Sequence, residues 1–444
     1  MKGDFSRDTF DPTRHFSQVL MQQGRVQLDA DWNEQGAIML HALRSLVVDL
    51  VGPAWAVGTG FDLAMDENGK DFIVAGGRYY VDGIACDNAA DLHFLSQPGV
   101  PPEQRKWNTG LFYLVYVDAW EQLVTSVEDG AIREVALGGP DTAARAQVAW
   151  QVRLLPFQLN ADGSGKPANC VGARALLAKQ LATTRPRLRA WAVDNADDAP
   201  CEIAPDAAYR GLENQLYRVE IHDPGSLADN AGAPSFKWSR ENGAVVFPVT
   251  GLVPGKEQVT VTLAHLGRDD RLGLSRGDWV ELVDDAYLRQ ERHDALLRVI
   301  DIDPEDMTVT LAGDAGERVA NPAYRLLRRW DQRDDVNGAG LVVVQESDGA
   351  DAHPFVLEDG VTVQFEKGGA YRTGDYWLIP ARSATGNVEW PVSLEPGGAA
   401  RPEAVPARGV EHHYGLLGVL ANGGGWKIKG CRCAVPAGFA SCPA

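Results

Sequence analysis

Between Gly24 and Leu50 the chain reads GRVQLDADWNEQGAIMLHALRSLVVDL, and the spacing of its apolar residues is that of a helix. Trp32, Gly36, Met39, Leu43, Leu46 and Leu50 fall at alternating steps of four and three, which makes one stripe along the helix axis. Leu40, Leu46 and Val47 widen the face beyond a narrow seam. Asp31 and Glu34 occupy the two positions of a capping box with Asp in place of Ser, so the helix is expected to start near residue 31. The stripe is shorter than the three or four heptads that define a coiled coil from sequence. An ordinary core helix and a helix bundled with copies of itself therefore both fit it. Gly52-Pro53 ends the run.

A shorter helix is expected before it. Asp11 can cap it, Pro12 suits its first position, and Gly24 can close it. Phe16, Val19, Leu20 and Gln23 would share one face. Residues 1–55 thus read as a helical hairpin for docking or oligomerisation, with Phe16, Leu20, Trp32, Met39, Leu43, Leu46 and Leu50 as its contact residues.

From Ala56 the helical period gives way to short β-rich runs. Arg78 to Val81 and Ile84 to Cys86 flank Asp82-Gly83, and a type I′ hairpin turn needs positive φ at both central residues. Leu111 to Trp120 is apolar on both faces, which predicts a buried central or interface strand. Residues 156–215 shift in composition and read as an insertion with a short helix around Leu176, Leu177 and Leu181. From Tyr217 to Trp330 short strands recur between turns such as Pro254-Gly255 and Asp303-Pro304, the pattern of a sandwich or small barrel. The expected fold is mainly β and multidomain, a helical hairpin followed by serial β-sandwich or small β-barrel modules. The expected boundaries are 1–55, 56–155, 156–215, 216–330 and 331–444.

Charge restricts the partners. Lys plus Arg (42) against Asp plus Glu (61) gives a net charge of −19 over 444 residues. That field repels phosphate, so neither nucleic acid nor an anionic membrane is expected as partner. No stretch approaches the length of apolar chain that crosses a membrane. MKGDFSRDTFD has acids where a signal peptide has its apolar core, so cytoplasmic synthesis without a signal peptide is expected.

The strings that resemble active sites fail on context. Gly273-Leu274-Ser275-Arg276-Gly277 matches G-x-S-x-G, but a strand follows it where a nucleophile elbow needs a helix. Gly163-Ser164-Gly165-Lys166 resembles the end of a phosphate loop, yet Pro167 stands where Ser or Thr would hold magnesium. Read as a calcium loop, the same segment has Val171 at the position of the bidentate Glu. Adjacent acids such as Asp197-Asp198, Asp269-Asp270, Asp284-Asp285 and Asp334-Asp335 number no more than the roughly eight pairs that chance gives. Cys431, Cys433 and Cys442, with His412-His413, could ligate zinc, but their spacing lacks two close pairs, and free thiols are the expectation. No catalytic residue, metal or cofactor is therefore assigned. Tyr371, Tyr376 and Trp377 could stack on sugar rings, giving a carbohydrate- or receptor-binding module as an alternative; filling a thin β core is the competing role.

The opening FDPTRHFSQVLMQQGRVQLDADWNEQ resembles the N-terminal segment of bacteriophage tail-fibre and baseplate proteins. GRYYVDGI, YLVYVDAWE, REVALGGPDTAARAQVAWQV, FKWSRENGAVVFPV, GDWVELVDD, RRWDQ and DYWLIPAR resemble an uncharacterised bacterial family associated with phage-tail-like contractile injection systems. The resemblance implies a non-enzymatic structural subunit in a baseplate, fibre or adaptor position. Its implied partners are other particle proteins and copies of itself, with a trimer favoured, in a particle that can leave the cell.

Overall fold

The computed structural model describes residues 1–100, 102–160, 164–182, 184–192, 209–228, 232–284, 292–314, 325–347, 354–394 and 400–435. Gly163, Asp197-Asp198, Asp285 and Cys442 lie outside the described residues. The chain is mainly β and folds into two compact units, each assembled from non-consecutive pieces. One unit comprises Met1–Arg7, Leu123–Arg145 and Thr184–Gly409; the other comprises Asp8–Gln122, Ala146–Thr183 and Val410–Ala444.

The first unit contains a closed six-stranded barrel. Its strands run in the order Val246–Val253, Gln258–Leu263, Thr308–Ala312, Leu297–Asp303, Trp279–Asp284 and Arg325–Trp330, the last pairing back to the first. Val259, Val261 and Leu263, like Val309 and Leu311, point inward at every second position and fill the barrel, as the two-residue period of a strand requires. Beside it, a five-stranded sheet with Gln215–Ile221 at its centre shares one core with a four-stranded sheet built on Val361–Phe365. These two sheets form a sandwich.

In the second unit Leu111–Val124 lies inside a four-stranded sheet between His413–Asn422 and Arg145–Gln158. Phe112 to Trp120 are all buried, as the two-faced apolar run predicts. One face joins a core with Phe72, Tyr79 and Phe94, and the other packs against the helix Cys170–Leu181. The hairpin of Gly77–Val81 and Ile84–Asn88 turns at Asp82 (φ 47°) and Gly83 (φ 78°), as expected for Asp-Gly.

The long helix α1 spans Asp29–Val51. It begins two residues before the expected start, after Leu28, without a side-chain cap. Asp29 and Asp31 in the first turn favour the positive end of its dipole, while Glu34 accepts a hydrogen bond from Thr9 instead of capping. Gly52, at φ 111°, ends it. The expected first arm of the hairpin does not form. Asp11 caps the amide of Thr13 at 2.9 Å, but the 3-10 turn Pro12–Arg14 stops at His15, whose φ is 55°. The backbone then stays irregular to Leu28. A helix this short needs burial to persist, and Phe16 and Leu20 are exposed. Val19 instead donates its amide to Gln35 Oε1 of α1 at 2.8 Å.

Cysteine chemistry also differs from expectation. Cys431 is bonded to Cys170, the first residue of the helix Cys170–Leu181, and both are fully buried. Cys433 is also disulfide-bonded. Thiols far apart in sequence cannot be paired from their spacing, so the tail cluster alone gave no sign of Cys170. The bond closes a separation of 261 residues, for which loop-closure entropy allows a stabilisation of up to about 5 kcal/mol. Cys431→Ser is expected to lower the melting temperature measured by calorimetry under non-reducing conditions; an unchanged value would show that the bond adds no stability.

Candidate docking face

α1 has one face held and one face free. On the held face, Ala30 and Ile38 are buried. Arg44 forms a two-pronged ion pair with Glu121, at 3.1 Å and 2.8 Å. The Asp82-Gly83 turn lies directly beneath: a Cβ on Gly83 would stand 2.7 Å from the Arg44 Cα, so only glycine permits this approach. From the leader, Thr9 reaches Glu34, Val19 reaches Gln35, and the Phe10 and His41 rings lie 5.7 Å apart. These contacts fix the rotation of the helix about its axis.

The opposite face is the stripe itself. Trp32 is 83 % exposed, and Met39, Leu40, Leu43, Leu46 and Leu50 are between 46 % and 74 % exposed. These six side chains present on the order of 750 Å² of surface, taking ~200 Å² for each large side chain when fully bare. The largest apolar patch of an ordinary monomer is about 300–600 Å². Phe16 and Leu20 in the leader are exposed as well. All seven residues singled out for contact are therefore outside the core of this chain, and the stripe carries no charge.

Tyr371, Tyr376 and Trp377 are not available to a sugar. They are 3 %, 7 % and 1 % exposed. Trp377 Nε1 donates to the Val405 carbonyl at 2.9 Å, Tyr371 donates to Glu346 at 2.8 Å, and the Arg218 guanidinium covers the Tyr376 ring at 3.6 Å. Tyr371 and Trp377 fill the sandwich core, so the carbohydrate-binding assignment for these rings does not hold. Gly273–Gly277 is a turn entering the strand Trp279–Asp284, with Ser275 N bonded to Asp278 Oδ2 at 2.8 Å. His412 and His413 meet Asp118 and Asp82 through Nδ1, at 2.6 Å and 2.9 Å. Among the described residues no group of three or more His, Cys, Asp and Glu is arranged to hold a metal, and no helix is long and apolar enough to cross a membrane.

A buried ionic cluster in the first unit escaped sequence reading. Glu281 accepts from Lys237 at 2.6 Å and from Trp330 Nε1 at 3.1 Å. Glu220 pairs with Lys2 and with Arg218, each at 2.6 Å. Lys237 donates to His222 Nδ1 at 3.1 Å, leaving Nε2 to donate to the Asp294 carbonyl at 3.0 Å. Its signal was present: Arg218 and Glu220 alternate with apolar residues in LYRVEI, as do Lys237 in SFKWS and Glu281 in WVELV. Charges at alternate positions of neighbouring strands are a pairing pattern.

A family model matches residues 1–169 and 158–440. The chain belongs to DUF6519, a family of unknown function. No curated protein and no solved structure matches it.

The cluster gives this DUF6519 chain a stated acid response. Burial, then the neighbouring Lys237, lowers His222 from 6.5 to about 4. Burial alone would raise Glu220, but Lys2, Arg218 and Lys237 outweigh it and hold the carboxyl at about 2. Between pH 6.5 and 4 the unfolded chain binds a proton at His222 that the folded chain refuses, so stability falls as pH falls. Below pH 4.5 the Glu220 contribution is lost in the same direction. His222→Gln is expected to flatten the decline between pH 6.5 and 4, by on the order of 3 kcal/mol across that window. Urea unfolding at a series of pH values measures it, and an unaltered slope would exclude His222 as the cause. Lys237→Met, which removes the cation bonded to Glu281, is expected to cost about 3–5 kcal/mol in the same assay.

Proposed function

We propose that this protein is a non-enzymatic structural subunit that docks through the outward face of α1. The observation that carries the reading is the bare apolar stripe on a helix whose other side is anchored by Arg44–Glu121, Ile38 and the Gly83 turn. Burying such a stripe is worth roughly 25 cal/mol per Å² of apolar surface before the costs of association. A helix held against rotation presents that surface ready-made, which lowers the ordering cost of docking. The setting we propose is a phage-tail-like contractile particle, in a baseplate, fibre or adaptor position. Support for the setting comes from the sequence strings given above, the opening segment and YLVYVDAWE, FKWSRENGAVVFPV and DYWLIPAR among them. The net charge of −19 is compatible with a soluble component before assembly.

The test compares cells carrying the full chain with cells carrying a Leu43→Asp/Leu46→Asp variant. Both positions are exposed, so the variant should keep its fold by circular dichroism. Particles bearing sheath and tube are isolated by sedimentation and the chain is quantified in them. The unaltered chain is expected to co-sediment, and the variant to be depleted at least ten-fold. A chain absent from sheath-bearing particles would end the particle assignment, and equal incorporation of the variant would end the role of α1.

A further inference from the structure

We infer that the occupant of the α1 face is the same face of a second copy, in parallel register, with Trp32 of each copy seated over Gly36 of the other. This rests on reading the face as a docking surface and is independent of the particle assignment.

Gly36 is the first observation. Glycine inside a helix costs about 1 kcal/mol relative to alanine, and nothing among the described residues requires it here. A Cβ built on Gly36 meets nothing within 4 Å, and its φ is not in the left-handed range. The missing side chain therefore leaves room that none of the described residues fills. Trp32, one turn earlier on the same stripe and 83 % exposed, is a side chain in need of a hole. Large and small sit together on one self-complementary surface.

Spacing supplies the register. A stripe at alternating steps of four and three follows a period of 3.5, the repeat of two helices that wind about each other with a left-handed hand. In a parallel pair the Trp32 layer inserts its knob between residues 29, 32, 33 and 36 of the facing helix. Gly36 is thus one wall of the hole that receives the indole. An antiparallel pair would instead set Trp32 against the far end of the stripe, near Leu50, and leave Gly36 without a use.

Charge and area agree with a second copy. The positions flanking the seam are Asn33, Leu40 and Val47 on one side and Gln35, Ala42 and Asp49 on the other. In parallel register Gln35 meets Leu40 and Ala42 meets Val47, so the flanks bring no like charges together; Asp29, exposed at the first layer of the seam, is the one like pair that this register sets face to face. A differently charged partner would find almost nothing on these flanks to pair with. The exposed stripe, on the order of 750 Å² per copy, is an upper bound on what a pair can bury from it, against the ~800 Å² per partner of a standard stable interface.

The full chain is measured by sedimentation velocity from low to high micromolar concentration. The unaltered protein is expected to self-associate reversibly. Gly36→Leu and Trp32→Ala are each expected to raise the dissociation constant at least ten-fold. The double variant Trp32→Ala/Gly36→Leu should recover part of the loss, because the leucine fills space the indole has left; this coupling separates packing from a general disturbance of the helix. Leu43→Cys reports the register: in a parallel pair the two substituted positions face each other and form a covalent dimer on mild oxidation. A chain that stays monomeric throughout, a Gly36→Leu variant as tightly associated as the parent, or a Leu43→Cys variant without cross-link would overturn the inference. If such a monomer still enters particles, the docking reading stands and only self-pairing falls. A self-associating chain that never enters particles leaves self-pairing in place and removes the particle assignment.

Discussion

Glu220 and Glu281 are buried carboxylates, and much of the first unit is arranged by the need to neutralise them. Water is excluded from both, so each requires a cation and hydrogen bonds within reach. Arg218 and Glu220 lie on the central strand of the sandwich, Lys237 on its neighbour, and Glu281 on a barrel strand. The Lys237–Glu281 pair therefore joins sheet to barrel, and Lys237 also lies 4.5 Å over the Trp330 ring at the barrel's edge. Hydrophobic contact alone would tolerate several relative placements of these two bodies. Directional charge pairs tolerate far fewer. Lys2 brings the amino-terminal segment into the same network, so that segment has its position set by electrostatics more than by apolar burial.

In the second unit the organising element is α1, and it is held by the reverse strategy. Few of its side chains are buried; a salt bridge, a glycine turn and three leader contacts hold it in place. An apolar helix that merely needed a core would turn its stripe inward. The Arg44–Glu121 pair and the close approach of Gly83 keep that stripe facing out.

Local features were legible in the sequence because local physics decides them. The Asp82-Gly83 turn, the doubly apolar strand at Leu111–Trp120, the regular β spacing that closes as a barrel and the helix ending at Gly52 all follow from backbone preference and period. What failed was decided at long range. Pro12 and Asp11 do begin a turn, but propensity without burial does not carry it into a helix. Tyr376 and Trp377 open a strand and Tyr371 lies just before it, and local pattern cannot tell a strand face that meets solvent from one that meets another sheet. The stripe of α1 was visible as a stripe; its exposure depended on Glu121 and Gly83, residues distant in sequence. Cys170 and Cys431 lie further apart still, at a separation of 261 residues.

The Cys170–Cys431 bond also brackets a single long excursion of the chain. Its two ends belong to the second unit, and between them runs Thr184–Gly409, nearly all of the first unit. The bond thus ties together two pieces of the second unit that the first unit separates in sequence. A protease that cut once within Thr184–Gly409 would not release either end: the fragments would stay one covalent molecule and separate only after reduction.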